Sequence, residues 1–506
     1  MKKIVLSSYP FLFAIYPILA LVVHNIIYID PGSVVRSLLI AILFTGLIWV
    51  LLKLIFKDWD KAGIVTVWVL ILFFSYGHVY IQLQSFLGEA VRHRVLAGIY
   101  FALLILGAWL VFVKSKRTAT LQSSLVMVGF VLVVFPIIQL IGYELNSNKE
   151  SPSAAPANLD SGDSITSGDV NAENLPDIYW ILLDGHTRSD ILKEHYSYDN
   201  SAFVQELEDM GFYVAKCSQS NYPSTRYSVT SLMNANYLDQ LPGVTRGIPP
   251  LKKSLVNQTV RSLGYTVIAF ENRSNGHFNL GEDMRLSRNQ LALGIVDFSG
   301  GLNEFEVVLM QTSALRLIYD MPQLIPGLDP EILVEQEYYE HYQQTLFILN
   351  KLPDLPKTKT PKFVFTHILV PHPPYVFSPE GKFLWAENGT VGYSSNVQFI
   401  DAQISKVAKK IIENSERPVI IVIQGDHGPS GAQVTSHMRM SILNAYYVND
   451  QAKQNLYPTI TPVNTFRIIF NDYFGTNYPL LEDKSYFAFG QGQFTPDYLV
   501  PNTCTP

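Results

Sequence analysis

Cysteine is scarce in this sequence of 506 residues, and its scarcity limits the kinds of site the chain can form. Cys217 and Cys504 are the only cysteines, and neither has a second cysteine two or three residues away. A cysteine-ligated zinc clamp or a CxxC redox pair is therefore not expected. A disulfide between the two cysteines and two unrelated free thiols remain as alternatives.

Positive charge is also limited. The 37 Lys and Arg residues are outnumbered by 43 Asp and Glu residues, the formal net charge is -6, and no long run of basic residues occurs. Nucleic acid requires a basic surface to neutralise its phosphates. We therefore do not expect a nucleic-acid partner.

Long apolar stretches are concentrated before Leu145. A helix needs about 20 apolar residues to cross roughly 30 Å of hydrocarbon, because lipid offers no hydrogen-bond partners to the backbone. Five stretches meet this requirement, which predicts a five-span membrane domain over residues 1–145. The predicted spans are approximately Tyr9 to Ile27, Val35 to Phe56, Ala62 to Leu83, Val95 to Val113 and Ser123 to Tyr143.

Basic residues lie in alternate connections between the predicted spans. Because Lys and Arg favour cytoplasmic loops, we predict a cytoplasmic N-terminus and an extracytoplasmic C-terminal part. The chain is thus predicted to be integral to the cell (inner) membrane. The residues that indicate this orientation are Lys2, Lys3, Lys53, Lys57, Lys61, Lys114, Lys116 and Arg117.

Beyond the spans, the composition changes twice. Residues 146–175 contain mostly small and polar residues, which predicts a flexible linker. From Pro176 onward, short β-branched runs alternate with amphipathic stretches, which predicts an α/β domain over 176–506 with a central, mostly parallel sheet between helices. The predicted strands are Asp177 to Leu183, Thr266 to Phe270, Phe363 to Val370, Val419 to Gln424 and Ile442 to Val448.

Carboxylates and a histidine follow two of the predicted strands, where ligands gather in folds of this kind. Asp184 ends the run IYWILLDG and is a candidate metal ligand, with helix capping as the alternative. Asp426 and His427 follow a second apolar strand between Gly425 and Gly428, and offer oxygen and nitrogen donors on one turn. We predict that both bind a metal ion.

Three further histidines belong to the same part of the chain. His372 lies just past the strand in KFVFTHILVPHPPYVF and is the better site candidate. His367, inside that strand, is interpreted as a hydrogen-bonded core residue. His437 could reach back over the site, with a surface histidine as the alternative.

A candidate nucleophile lies in the segment SQSNYPSTRYSVTS, which leads into a helix predicted to begin near Tyr227. The free N–H groups and the dipole of a helix start favour an oxyanion, so a Ser or Thr there could attack phosphorus. A metal ion at the neighbouring carboxylates would lower the pKa of that hydroxyl. Helix capping is the alternative role for such a residue.

The order of the motifs LLDG, NYPSTRYSVTS, HILVPHPPY and QGDHG, followed by a later histidine, resembles the alkaline phosphatase and sulfatase superfamily. With five predicted spans, the chain is most similar to the membrane-anchored branch that contains lipoteichoic acid synthases and lipid A phosphoethanolamine transferases. The resemblance covers roughly Pro176 to Phe474 in motif order, and the membrane half only in the number of spans.

This resemblance implies a divalent metal cofactor, zinc or manganese as in relatives, with magnesium and calcium as further options. It implies that Asp184, Asp426 and His427 bind the principal ion. It also implies that His372 and His437 contact a second ion or the substrate phosphate; we include His437 with the metal ligands and His372 with the catalytic residues.

The resemblance is less direct for the nucleophile. Thr225 is placed as the nucleophile and as a metal ligand, and Ser224 is the second candidate. Counting back from Pro223 as in arylsulfatases reaches Asn221, which cannot serve as a nucleophile. No cysteine stands where sulfatases form formylglycine, so an enzyme of that type is not expected.

The resemblance therefore implies an enzyme that transfers a phosphate-linked head group, such as phosphoglycerol or phosphoethanolamine. The donor would be a lipid, the acceptor a cell-envelope glycan or lipid, and the intermediate a covalent one on Thr225. Two alternatives remain. One is a phosphodiesterase or sulfatase-type hydrolase of envelope substrates, and the other is a catalytically degenerate binding domain, which Asn221 favours.

Overall fold

The computed structural model describes two compact units. The first comprises Met1–Ser151, Asn275–His277 and Asn289–Val334, and the second comprises Pro152–Ser274, Phe278–Arg288 and Glu335–Pro506. The residues that the structure describes are 9–24, 34–87, 91–114, 118–149, 175–241, 249–271, 278–286, 288, 304–321, 330–357, 360–387, 389–431, 433–487 and 498–504.

Helices occur in both units and are numbered here in chain order. They are α1 (Tyr9–His24), α2 (Val35–Phe56), α3 (Trp59–Leu87), α4 (His93–Trp109), α5 (Thr118–Lys149), α6 (Ser189–Tyr196), α7 (Ser201–Asp209), α8 (Thr225–Met233), α9 (Leu255–Ser262), α10 (Glu304–Thr312), α11 (Arg316–Asp320), α12 (Pro330–Lys351), α13 (Gly389–Asn414), α14 (Ser436–Met440), α15 (Asp450–Lys453) and α16 (Thr465–Phe474).

The first unit is a helical bundle with apolar surfaces. Within the described residues, four of its helices are long and apolar enough to cross a membrane, namely α2, α3, α4 with the π-helical turn that follows it, and α5. Their outward-facing leucine, isoleucine, valine and phenylalanine side chains are exposed, as expected for surfaces that meet lipid. The chain is therefore an integral membrane protein.

The ends of this bundle differ from the sequence-based prediction. Helix α1 has 16 residues, fewer than the length usually needed to span a bilayer, and residues 25–27 of the predicted first span lie outside the described part of the chain. Helix α5 continues to Lys149, past the predicted end of the fifth span and into the predicted linker. The rest of that linker, up to residue 174, is not among the described residues.

The first unit, called the membrane unit below, also includes a segment from the middle of the sequence. Helices α10 and α11 pack with α3 and α4, although both lie within the range 176–506 that the sequence assigns to the outer domain. The contact with α3 is close, because a Cβ atom on Gly77 would lie 2.3 Å from the carbonyl oxygen of Gln311. Glycine is the residue that permits this approach.

The second unit is an α/β domain built on a seven-stranded sheet, as predicted. The strands are β1 (Asp177–Leu183), β2 (Tyr213–Val214), β3 (Thr266–Phe270), β4 (Met284–Leu286), β5 (Lys362–Ile368), β6 (Tyr375–Phe377), β7 (Phe383–Glu387), β8 (Val419–Gly425) and β9 (Asn444–Tyr447). The strand order in the sheet is β2-β9-β8-β1-β5-β3-β4, and β6 and β7 form a separate hairpin.

Strand β1 lies at the centre of this sheet, parallel to β8 on one side and to β5 on the other. Its side chains alternate between two apolar cores: Ile178, Trp180 and Leu182 belong to one, and Tyr179, Ile181 and Leu183 to the other. Because both faces are covered, every residue of β1 is buried. At its end, Leu183 is opposite Gly425 of β8 and Ile368 of β5, so three strands end at the same edge.

A disulfide links Cys217 to Cys504 across 287 residues. It resolves the two alternatives left open by the sequence in favour of the bridge. The Asn502 side chain reinforces the attachment by donating a 2.7 Å hydrogen bond to the Cys217 carbonyl oxygen.

Candidate metal centre

Three buried side chains meet at the edge where β1, β5 and β8 end. Asp184 follows β1, Asp426 follows β8, and His367 is the second-last residue of β5. Each offers one ligand atom, and these atoms all lie within 4.8 Å of one another. The shared edge follows from the parallel pairing of the strands, since their carboxyl ends must point the same way.

The Asp426 carboxylate is oriented by backbone donors. Its Oδ1 atom accepts hydrogen bonds of 2.9 Å from the N–H groups of Gly185 and His427. Its Oδ2 atom is buried and accepts no hydrogen bond from any residue that the structure describes. A buried carboxylate oxygen is costly without a partner, so this oxygen is well suited to bind a cation.

The His427 ring presents Nε2 to the same place. Its Nδ1 atom donates to the Gly428 carbonyl oxygen at 2.9 Å, which assigns the lone pair to Nε2. Nε2 lies 3.3 Å from Asp426 Oδ2 and 3.6 Å from Asp184 Oδ1. Burial lowers the pKa of His427, so the ring is neutral at pH 7 and its Nε2 lone pair is available to a metal ion.

The turn that carries His427 requires glycine at its end. A Cβ atom on Gly428 would lie 2.0 Å from the carbonyl oxygen of Met438, too close for any other residue type. The glycine therefore permits the turn of Asp426, His427 and Gly428, called the DHG turn below, to lie close against α14.

The Asp184 carboxyl is strongly acidic. Burial by itself would raise its pKa, but the hydrogen bond from His367 and the nearby His372 and His427 outweigh burial and hold the pKa well below its ordinary value. The His367 Nε2 atom lies 3.2 Å from Asp184 Oδ2. His367 is therefore a buried, hydrogen-bonded residue whose partner belongs to the cluster.

The Thr225 hydroxyl lies beside this cluster. It is the first residue of α8, and its Oγ1 atom lies 3.2 Å from His427 Nε2. Ser224 is the N-cap residue of α8, but its side chain makes no capping hydrogen bond. The helix thus starts at Thr225, two residues earlier than the predicted start near Tyr227.

Asn221 has a structural role away from the cluster. Its Nδ2 atom donates to the Lys484 carbonyl oxygen at 2.9 Å, and its Oδ1 atom accepts from the Val463 N–H at 2.8 Å. The side chain is fully buried in these contacts. The residue reached by counting back from Pro223, as in arylsulfatases, therefore anchors a loop in this chain.

The two remaining predicted histidines lie in different places. The His372 ring is 6.3 Å from the His427 ring, and its charge acts on Asp184. His437 instead lines a cavity of about 590 Å³ with Arg188, Asp190 and Lys216. Among the described residues, His437 makes no side-chain hydrogen bond or ion pair with the cluster.

Two residues near the cluster were not foreseen from the sequence. Arg439 is half-buried, and the carboxylates of Asp426 and Asp184 act on its charge. His341 of α12 has a buried Nε2 atom without a hydrogen-bond partner among the described residues, and both His372 and Asp184 act on its charge. A single polar residue in an amphipathic or irregular segment gives no sequence signal that could have identified either.

The donor set fits a divalent cation. Asp184, Asp426 and His427, with His367 and the Thr225 hydroxyl nearby, provide the oxygen and nitrogen atoms that zinc and manganese accept. The cluster combines carboxylates and imidazoles at the carboxyl edge of a parallel sheet, next to a hydroxyl at a helix start. This combination defines the class of metal-dependent enzymes that act on phosphate or sulfate esters.

Comparison with known families agrees with this class. The family model for sulfatases matches residues 176–473, more than half of the chain. The chain belongs to the sulfatase family, and the matched region is a phosphotransferase or hydrolase domain of this superfamily. A search of curated proteins found no match to the chain.

Several solved structures match the chain at low sequence identity. The periplasmic domain of EptC from Escherichia coli, in complex with zinc, is 11% identical with a TM-score of 0.43, and the match covers 68% of this chain and 96% of that one. Lipooligosaccharide phosphoethanolamine transferase A from Neisseria meningitidis, an integral membrane protein, is 14% identical with a TM-score of 0.38, over 92% and 94% of the two chains.

Proposed function

We propose that this protein is a membrane-anchored, metal-dependent transferase that moves a phosphate-linked head group from a lipid donor to a cell-envelope acceptor. The observation that carries the proposal is the Thr225 hydroxyl, 3.2 Å from His427 Nε2 and beside two buried carboxylates. Apolar helices in the same chain favour a lipid donor, because anchoring raises its effective concentration at the site.

The metal ion would be held by Asp184, Asp426, His427 and Thr225, with His367 hydrogen-bonded to Asp184. When bound, a divalent ion lowers the pKa of a coordinated hydroxyl and offsets the negative charge of a phosphoryl group. Zinc or manganese suits this mixture of carboxylate and imidazole donors, and magnesium or calcium is less suited because both prefer oxygen ligands alone.

The reaction proceeds in two transfers. Thr225 Oγ forms a bond to phosphorus while the bond from phosphorus to the lipid oxygen breaks, and the departing lipid oxygen takes up the proton that Thr225 loses. An acceptor hydroxyl then bonds to phosphorus and returns a proton to Thr225 as the Thr225–phosphorus bond breaks. The start of α8 supports both transfers, because its N–H groups and dipole favour negative charge. His372 would contact the substrate phosphate in this reaction.

The proposed membrane topology has five spans, a cytoplasmic N-terminus and a catalytic domain outside the cytoplasm. It requires α1 to cross together with the four longer helices. The disulfide between Cys217 and Cys504 supports this orientation, since disulfides persist in oxidising compartments. The placement of Lys53 and Lys57 at the end of α2 and of Lys61 near the start of α3 supports it as well.

The test is to trap the intermediate. The full chain, purified in detergent, is incubated with zinc and a phospholipid mixture without acceptor, and tryptic peptides containing Thr225 are analysed by mass spectrometry. We expect a phosphoryl head-group adduct on Thr225 in the wild type and none in Thr225→Ala. A Ser224→Ala variant serves as the matched control and should still form the adduct.

The same experiment separates the alternatives. A wild-type chain that passes the group only to water, whatever hydroxyl compound is added, would be a hydrolase. A chain that forms no adduct, binds no stoichiometric metal and is unaffected by Asp426→Asn would be a binding domain. Either result would exclude the transferase.

A further inference from the structure

The Arg439 side chain joins two loops next to the candidate metal centre. Its Nε atom donates to the Pro223 carbonyl oxygen at 2.7 Å. Its Nη1 atom donates to the carbonyl oxygens of Gly428 and Pro429 at 3.1 and 3.0 Å, and to Ser430 Oγ at 2.5 Å. One guanidinium group therefore holds the segment before α8 and the turn after β8 together.

These two loops carry the groups that must meet in the proposed reaction. Pro223 precedes Thr225 by two residues, and Gly428 directly follows His427. The Gly428 carbonyl oxygen accepts from both His427 Nδ1 and Arg439 Nη1, so the guanidinium and the imidazole share an acceptor. The 3.2 Å separation of Thr225 Oγ1 from His427 Nε2 depends on both loops keeping their positions.

The competing explanation is that Arg439 only stabilises the fold. Arg467 is an example of an arginine with such a role. Arg467 is buried, and it donates to the carbonyl oxygens of Ala235 and Pro479 at 2.7 and 2.6 Å. Its charge is influenced by tyrosines, whereas the Arg439 charge is influenced by Asp426 and Asp184. Arg439 thus differs from Arg467 in where its hydrogen bonds end and which charges it faces.

We propose that Arg439 is a positioning residue, which holds the start of α8 against the DHG turn so that the Thr225 hydroxyl stays beside His427. The inference rests on the proposed function, because Thr225 is its nucleophile. Arginine suits this role, since its planar fork of five donors can bind several carbonyl groups at once. Lysine would keep the charge and lose this geometry.

The first test is kinetic and uses the full chain with its metal. We expect Arg439→Ala to lower kcat about 100-fold, because a small misplacement of reacting groups has an effect of this size. The KM for the lipid donor and the bound metal should change little. Added guanidinium should restore part of the activity of Arg439→Ala, whereas Arg439→Lys should remain impaired. Arg467→Ala is the matched control and should show no rescue.

The second test does not depend on turnover. Hydrogen exchange of the peptide covering residues 219–233 should rise in Arg439→Ala and in Arg439→Lys, and should stay at the wild-type rate in Arg467→Ala. Unchanged exchange, or an activity loss no greater than that of Arg467→Ala, would overturn the proposal. If Thr225 is never modified in the wild type, the proposed function is wrong. Hydrogen exchange of residues 219–233 would still show whether Arg439 holds the segment before α8.

Discussion

His341 is a single residue whose charge state should affect stability. Burial lowers its pKa from 6.5 to about 4, with a further lowering by His372 and an opposing effect of Asp184. Between these pH values the unfolded chain binds a proton at this position and the folded chain does not. Stability should therefore be complete above pH 6.5 and should fall as the pH decreases towards 4.

We predict that His341→Gln weakens this dependence. The contribution of His341 is at most about 3 kcal/mol, from the difference between the two pKa values. Urea unfolding of the metal-free full chain, measured from pH 7 to pH 4, should give a shallower slope for the variant than for the wild type. The same substitution at the more exposed His195 is the control, and an unchanged slope in His341→Gln would contradict the prediction.

Residues of the site differed in how far the sequence could predict them. Asp184, Asp426 and His427 were identifiable because each follows an apolar strand, and the exits of parallel strands converge. The same logic extends to His367, whose position near the end of β5 was visible, but a histidine inside a strand is equally expected in a core. Arg439 was not identifiable, since its partners are backbone carbonyls from distant loops.

Among the elements, the central strands were predictable and the edges were not. β1, β3, β5, β8 and β9 each overlap a predicted strand, because their apolar runs must be buried on both faces. β2 and β4 are two and three residues long and gave no recognisable pattern. Short edge strands are specified by their neighbours in the sheet and not by their own composition.

The C-terminal tail is an element held by a covalent bond, and this leads to a prediction. The bridge between Cys217 and Cys504 closes a loop of 287 residues. Its removal in Cys217→Ser/Cys504→Ser should lower the free energy of unfolding by about 2–4 kcal/mol, because the unfolded chain gains freedom. Thermal unfolding with and without reductant measures this effect.

Reductant should lower the unfolding temperature of the wild type and leave that of the double variant unchanged. Asn502→Ala is the control, since it removes the 2.7 Å hydrogen bond to Cys217 and keeps the bridge. Its unfolding temperature should remain sensitive to reductant. Equal sensitivity of the wild type and the double variant would show that the bridge contributes nothing.

At the scale of the whole molecule, the division of the chain into units was only partly predictable. The change from apolar to polar composition near residue 145 marks the end of the first five helices. The segment with α10 and α11 carries charged residues, so its composition is that of a soluble domain although it belongs to the membrane unit. Its ion pairs explain how charged residues are accommodated there.

One of these ion pairs joins Arg36 of α2 to Glu306 of α10 within the membrane unit. Both side chains are largely buried, with exposed fractions of 14% and 8%. Removing one partner would leave the other charge buried, which typically costs about 3–5 kcal/mol. Replacing both should cost less than the sum of the single changes, because no charge is then left without its partner.

We therefore predict a large coupling energy in the cycle of Arg36→Gln, Glu306→Gln and the double variant, measured by thermal unfolding in detergent. The exposed pair Lys193 and Asp199, whose charged atoms lie 2.7 Å apart, provides the matched control cycle and should show coupling within experimental error. Additive effects of Arg36→Gln and Glu306→Gln would mean that the pair does not hold α10 to α2. Strong coupling would mean that a segment encoded within the catalytic region completes the membrane unit.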